Sequence, residues 1–179
     1  MLEKFHAVIR ALLKTPKVTM AIVQGHCLGG GAELAMVCDL VYTMDSAQWG
    51  FPEIKLGFFP PVACTGLAAL VGVKRAADLV LTGRSISGSE AAQMGLATQA
   101  LPESQMAQFI ESSLRDLLKL SPASLAITKK AFYAWDAMHF DKGLVKAENI
   151  CFDELMHTED AVEGVNAFLE KREPQWKGR

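Results

Sequence analysis

Hydrophobic and polar positions divide the chain into short apolar runs in its first half and longer amphipathic runs in its second. Leu2 to Lys14 puts Phe5, Val8, Ile9, Leu12 and Leu13 on one side at helical spacing, and Thr15-Pro16 stops it. Val18 to Val23 is unbroken apolar sequence and reads as a buried strand. Three glycines, Gly29 to Gly31, lead into Ala32 to Cys38, apolar nearly all round and so a buried helix. Asp39 to Thr43 reads as a second strand and Gln48 to Phe51 as a short extended piece. From Pro52 to Pro61 the prolines and Gly57 forbid a long regular element. Its large apolar side chains should fold back over the protein and line a pocket.

Helical patterns then take over. Val62 to Val71 is expected to be interrupted at Gly66, and Val73 to Leu81 is ended by Thr82-Gly83. Ser87 with Glu90 three residues on forms a capping box for a helix that Gly95 closes. Ala97 to Leu101 is a short strand. Ser104 to Leu120 has a helical stripe, Pro122 suits the first turn of a helix running to about Met138, and two more cover Lys142–Met156 and Glu159–Lys171. The pattern is that of an α/β protein with few strands: three or four short ones before a large helical mass. They do not make a closed or well-covered sheet by themselves.

Composition narrows the class. The 179 residues suffice for a substantial core, and half of them are hydrophobic, which argues against disorder. A formal net charge of -2, with no basic stripe interleaved with aromatics, argues against nucleic acid. No apolar run reaches membrane-span length, and Met1 to His6 does not read as a signal peptide. Cys27, Cys38, Cys64 and Cys151 have neither zinc-knuckle nor C-x-x-C spacing, so they read as free thiols of a reducing, cytoplasmic compartment. His6, His26, His139 and His157 make no H-E-x-x-H pattern, and no metal is expected.

The candidate chemistry sits at the glycine corner. A strand turning through glycines into a helix N-terminus presents unpartnered amides to negative charge, and glycine lets a ligand approach the backbone closely. It is not a P-loop, because Gly31 stands at the lysine position after Gly25 and Gly30. Nor is it a dinucleotide fingerprint, because Leu34 stands at the last glycine position after Gly29 and Gly31. On these residues alone a tight turn without a ligand is an equal reading. Glu33 reads either as a first-turn capping carboxylate or as a site residue. Glu53 follows Pro52 among apolar residues, with no evident solvated face. The tail from Lys171 to Arg179 reads as a solvated end or as a phosphate contact.

Gly29-Gly30-Gly31-Ala32-Glu33-Leu34-Ala35-Met36-Val37-Cys38-Asp39 and Trp49-Gly50-Phe51-Pro52-Glu53-Ile54-Lys55-Leu56-Gly57 resemble the two signature blocks of the crotonase (enoyl-CoA hydratase/isomerase) family. Leu81 to Arg84 with Ala91 to Leu96 resembles its third block, and Ala167 to Arg172 its C-terminal helix. The resemblance implies a ββα spiral core over residues 1–102, incomplete because family members carry further sequence before the first block, and a C-terminal helical trimerisation region over 103–179. It implies an acyl-CoA hydratase, with Glu33 and Glu53 sharing a water and the Gly30 amide, the second of two oxyanion amides, holding the thioester oxygen; the first has no counterpart here. It also implies a pocket lined by Leu28, Gly29, Phe58, Phe59 and Pro61. No separate cofactor is implied, coenzyme A being part of the substrate, with Phe168 and Lys171 as its contacts from a neighbouring subunit of a trimer or hexamer. Isomerase or hydrolase chemistry, or a chain that only assembles, are the alternatives.

One departure stands out. Pro61 occupies a position where family members commonly have a glycine amide, and proline has no N–H. Phe58-Phe59-Pro60-Pro61-Val62-Ala63-Cys64, with Lys74 to Leu79, is similar to cyclohexa-1,5-diene-1-carbonyl-CoA hydratases, in which a flat alicyclic acyl group would suit an aromatic wall.

Overall fold

The protein is described by a computed structural model covering residues 2–133 and 140–177. Its elements run α1 (Leu2–Lys14), β1 (Met20–Val23), β2 (His26–Leu28), α2 (Gly30–Met36), β3 (Leu40–Met44), β4 (Gln48–Gly50), a 3-10 turn (Pro52–Leu56), α3 (Pro61–Val71), α4 (Val73–Thr82), β5 (Ser85–Ser87), α5 (Gly88–Met94), β6 (Gln99–Leu101), α6 (Glu103–Leu118), α7 (Pro122–Phe132), α8 (Phe140–Asp153), a second 3-10 turn (Leu155–His157) and α9 (Glu159–Glu170). The far end expected for the helix after Pro122, at Met138, lies outside the described residues.

Contacts cluster the chain into two units. The first comprises residues 1–27, 34–49 and 86–137. Here β3 is the middle of a parallel sheet ordered β1–β3–β6, with Ala21 opposite Val41 and Thr43 opposite Ala100. Side chains pin the strand ends: Asp39 Oδ2 accepts from the Thr19 amide at 2.6 Å, and the Val41 amide donates to Thr98 Oγ1 at 2.9 Å. Lys129 Nζ reaches Asp39 Oδ2 at 2.7 Å and the Lys17 carbonyl at 2.9 Å, so α7 is tied to the sheet by a buried ion pair. Burial disfavours a charged Asp39, but Lys129 and Thr19 more than offset it and hold its carboxyl below the ordinary range. In α1 the buried residues are His6 and Ile9, whereas Val8, expected on the apolar side, is half exposed.

The second unit comprises residues 28–33, 50–85 and 138–179. Its core includes Phe51, Val62, Leu67, Leu79 and Leu144. Helix α3 packs on α4 and α8, where Gly143 lies so close to Thr65 that a Cβ would meet its methyl at 2.7 Å. Contrary to expectation, α3 runs unbroken through Gly66, which is buried; packing there outweighs the roughly 1 kcal/mol that glycine costs a helix.

The strand count was also too low. Six strands are present among the described residues, in two three-stranded sheets, the second ordered β2–β4–β5. Strands β2 and β5 are three residues long and lie beside glycines or serines, too short for periodicity to show. No helix among the described residues is long and apolar enough to cross a membrane.

Candidate active site

The glycine corner builds the site from the backbone. Gly29 takes φ +55°, the left-handed region that favours glycine. That turn lets the chain leave β2 and start α2 at Gly30, two residues before the start expected from side-chain pattern. The Glu33 amide donates to the Gly29 carbonyl at 2.9 Å, which closes the first helical turn. The amides of Gly30, Gly31 and Ala32 precede that bond and carry the positive end of the helix. Gly30 and Gly31 are exposed residues. The Gly29 amide itself donates to the Gly50 carbonyl at 2.9 Å, fixing the corner against the chain that leads to Glu53.

Glu33 is only 3% exposed. Its Oε1 accepts two backbone bonds, from Val62 at 2.8 Å and Ala63 at 2.9 Å. Both amides lie in the first turn of α3, whose N-terminal positions are Pro60 and Pro61. The prolines have no amide to offer, so the helix's free donors begin at Val62, and a carboxylate satisfies them. This local chemistry was missed from sequence, although a Pro-Pro helix start signals it: the next two residues must find acceptors. Burial pushes the Glu33 carboxyl up from 4.5 to about 7, the two amides pull it down in part, and the charge of Glu53 adds to the rise.

Glu53 lies in the 3-10 turn that follows β4. Its Oε1 sits where a Gly29 side chain would be, 2.8 Å from an ideal Cβ. Gly29 is therefore required twice, for its backbone angle and for the approach of this carboxylate. Glu53 Oε2 is buried and has no hydrogen-bond partner among the described residues. Burial raises the Glu53 carboxyl as well, opposed in part by its own backbone amide.

Cys64 follows Ala63 on α3 and keeps an exposed surface, yet the protein around it and the charges of Glu33 and Glu53 push its thiol up to about 11. The Ala63 amide before it holds Glu33, and the sequence had marked Cys64 only as a free thiol.

The structure thus brings Gly29, Gly30, Glu33 and Glu53 together, with the start of α3 behind them. Of the other expected residues, Leu28 is 38% exposed at the corner, Phe58 and Phe59 are half-buried after the 3-10 turn, and Pro61 is buried as the first residue of α3. Phe168 and Lys171 lie at the far end of α9; Phe168 is 65% exposed, and Lys171 caps the helix with φ 54°. No group of three metal-ligating side chains occurs among the described residues.

Parallel strands joined through helices make an α/β fold, and two carboxyls raised by burial lie close to the start of α2. Residues 1–179 match the Enoyl-CoA hydratase/isomerase family, and the chain belongs to that family. It is 36% identical over all of its 179 residues to cyclohexa-1,5-dienecarbonyl-CoA hydratase of Thauera aromatica, covering 69% of that protein. It is 36% identical over 164 residues to 2,3-dehydroadipyl-CoA hydratase of Escherichia coli, covering 91% of this chain and 64% of the relative. Among solved structures, an enoyl-CoA hydratase from Mycobacterium avium subsp. paratuberculosis superimposes with a TM-score of 0.89 at 27% identity, over 98% of this chain and 71% of the other. The chain spans about two thirds of the length of these relatives.

Proposed function

We propose that the protein adds water across a carbon–carbon double bond conjugated to a coenzyme A thioester. The observation that carries this reading is a pair of burial-raised carboxyls: Glu53 against Gly29, and Glu33 four residues on, held at the start of α3 and raised further by the Glu53 charge. Hydration needs one group that takes a proton and one that gives a proton. Two amides stabilise the ionised form of Glu33, which suits the base. The unpartnered Oε2 of Glu53 suits the acid form.

Glu33 takes a proton from water, and the water oxygen bonds to the β-carbon. The π pair moves toward the carbonyl and charge gathers on the thioester oxygen, where the Gly30 N–H donates to it. Glu53 delivers its proton to the α-carbon as the carbonyl re-forms. A proton passing from Glu33 to Glu53 through solvent resets the pair. Double-bond isomerisation can run on one shuttling carboxyl; two carboxyls differently hydrogen-bonded favour hydration.

The acyl group we favour is a cyclic dienoyl. Phe58, Phe59 and Pro61 would supply a flat apolar wall, and one relative is a dienecarbonyl-CoA hydratase. Phe168 and Lys171 would meet the coenzyme A of a neighbouring copy in a trimer or hexamer. Loss of the conjugated-thioester absorbance of crotonyl-CoA and of cyclohexa-1,5-diene-1-carbonyl-CoA tests these statements. The expected result is hydration of both, with the higher kcat/KM for the cyclic substrate. Hydration of neither, or isomerisation alone, overturns the hydratase reading. In sedimentation the protein should run as three or six chains, and a monomer would remove the shared-site proposal.

A further inference from the structure

The carboxyl of Glu53 is carried by a short 3-10 turn that packs against α9. The Phe58 amide donates to the Glu53 carbonyl at 3.0 Å, and the Gly57 amide to the Ile54 carbonyl at 3.1 Å and to the Glu53 carbonyl, closing its C-terminal end. Its outer side rests on α9 through two contacts at which no side chain fits. Gly57, at φ +71°, faces the Asp160 carbonyl oxygen, 2.8 Å from an ideal Cβ. One helical turn on, a Cβ on Gly164 would overlap the Leu56 carbonyl, which is backbone and cannot rotate away. The indole of Trp176 also lies against Gly164, 3.2 Å from that same Cβ position.

The tail that carries Trp176 is itself tied back along α9. Arg172 binds Glu163 with two nitrogens, at 2.6 and 3.0 Å. The Gln175 amide donates to Glu163 at 2.8 Å, and the Lys177 amide to Asp160 Oδ1 at 2.6 Å. Turn, helix and tail therefore form three layers meeting at Gly164.

We propose that Gly164, backed by Trp176, is a positioning residue for the Glu53 carboxyl: its missing side chain sets how closely the turn seats on α9, and so where Glu53 meets Gly29. The inference rests on the reading of Glu53 as the proton donor. A methyl at Gly164 displaces Leu56 outward, and the hydrogen-bonded turn carries Glu53 with it. Glu33 on α2 and Cys64 on α3 both feel the charge of that carboxyl, which raises each of them.

The test uses the whole chain with glutamate labelled by 13C at Cδ, the Glu53 resonance being assigned with Glu53→Gln. Wild type, Gly164→Ala and Trp176→Ala are titrated by NMR, melted, and assayed for hydration. In Gly164→Ala the Glu53 midpoint should move toward that of an exposed glutamate by about half a pH unit or more. Its kcat should fall about tenfold or more, with KM within about threefold. Trp176→Ala should move both readings the same way by less. A merely structural role would lower the melting temperature and leave the Glu53 titration and kcat in place; folded variants behaving so overturn the inference. If Gly164→Ala does not fold, Trp176→Ala decides by the same readings. If wild type hydrates nothing, the hydratase reading fails, and the Glu53 titration alone decides the positioning.

Discussion

Glu33 shows most directly how one residue ties stability to chemistry. Its folded carboxyl holds a proton up to about pH 7, whereas the unfolded chain releases it near 4.5. The folded state therefore binds more protons between those values, so this group's contribution to stability is full below pH 4.5 and falls as pH rises to 7. A shift of that size corresponds to roughly 3 kcal/mol. Glu33→Gln keeps an oxygen for the Val62 and Ala63 amides and removes the titration. Urea unfolding at pH 5 and pH 8 should show the variant gaining stability relative to wild type at the higher pH; equal differences at both would contradict the burial argument. The same proton should appear in catalysis as an acid limb of kcat/KM near pH 7, with apparent values belonging to the carboxyl pair. Gly29→Ala should cost about 1–2 kcal/mol for the left-handed backbone and lose activity as well, because the new methyl displaces Glu53. Chemical denaturation and turnover, measured together, check both losses.

Elements were legible where their signals are chemical. Ser87 and Glu90 announced a helix start, and Ser87 Oγ accepts from the Glu90 amide at 3.1 Å with Gly95 closing α5 in the left-handed region. Ser87→Ala should lower stability by about 1 kcal/mol without changing kcat, as thermal melts and assays would show. Leu2–Lys14 emerged from its periodicity with its bounds intact. What stayed hidden was set by backbone partners rather than by side-chain pattern. Helix α2 starts at Gly30 because Gly29 can turn left-handed, and residue pattern sees two poor helix formers there instead. Pro61 was rightly read as lacking an amide, but that the next two amides would bind Glu33 is a relation between segments 29 residues apart. The buried Oε2 of Glu53, without a hydrogen-bond partner among the described residues, is likewise a product of tertiary placement.

At the scale of the molecule, each of the two units has its own buried charged groups. In the first unit the Lys129–Asp39 pair is buried, with side chains 7% and 14% exposed. Removing one partner strands the other charge, so Lys129→Met should cost about 3–5 kcal/mol in denaturant titrations while Asp39→Asn with Lys129→Met recovers part of it. In the second unit the proposed chemistry rests on Glu53 against Gly29 and on the buried Glu33 of α2, in a chain that belongs to the Enoyl-CoA hydratase/isomerase family. The most direct test of that chemistry is hydration of an enoyl-CoA by wild type, Glu33→Gln and Glu53→Gln under identical conditions. Each carboxamide variant should stay folded and lose about 100-fold or more in kcat/KM. Folded variants that hydrate as fast as wild type would show that these two carboxyls do not carry the reaction.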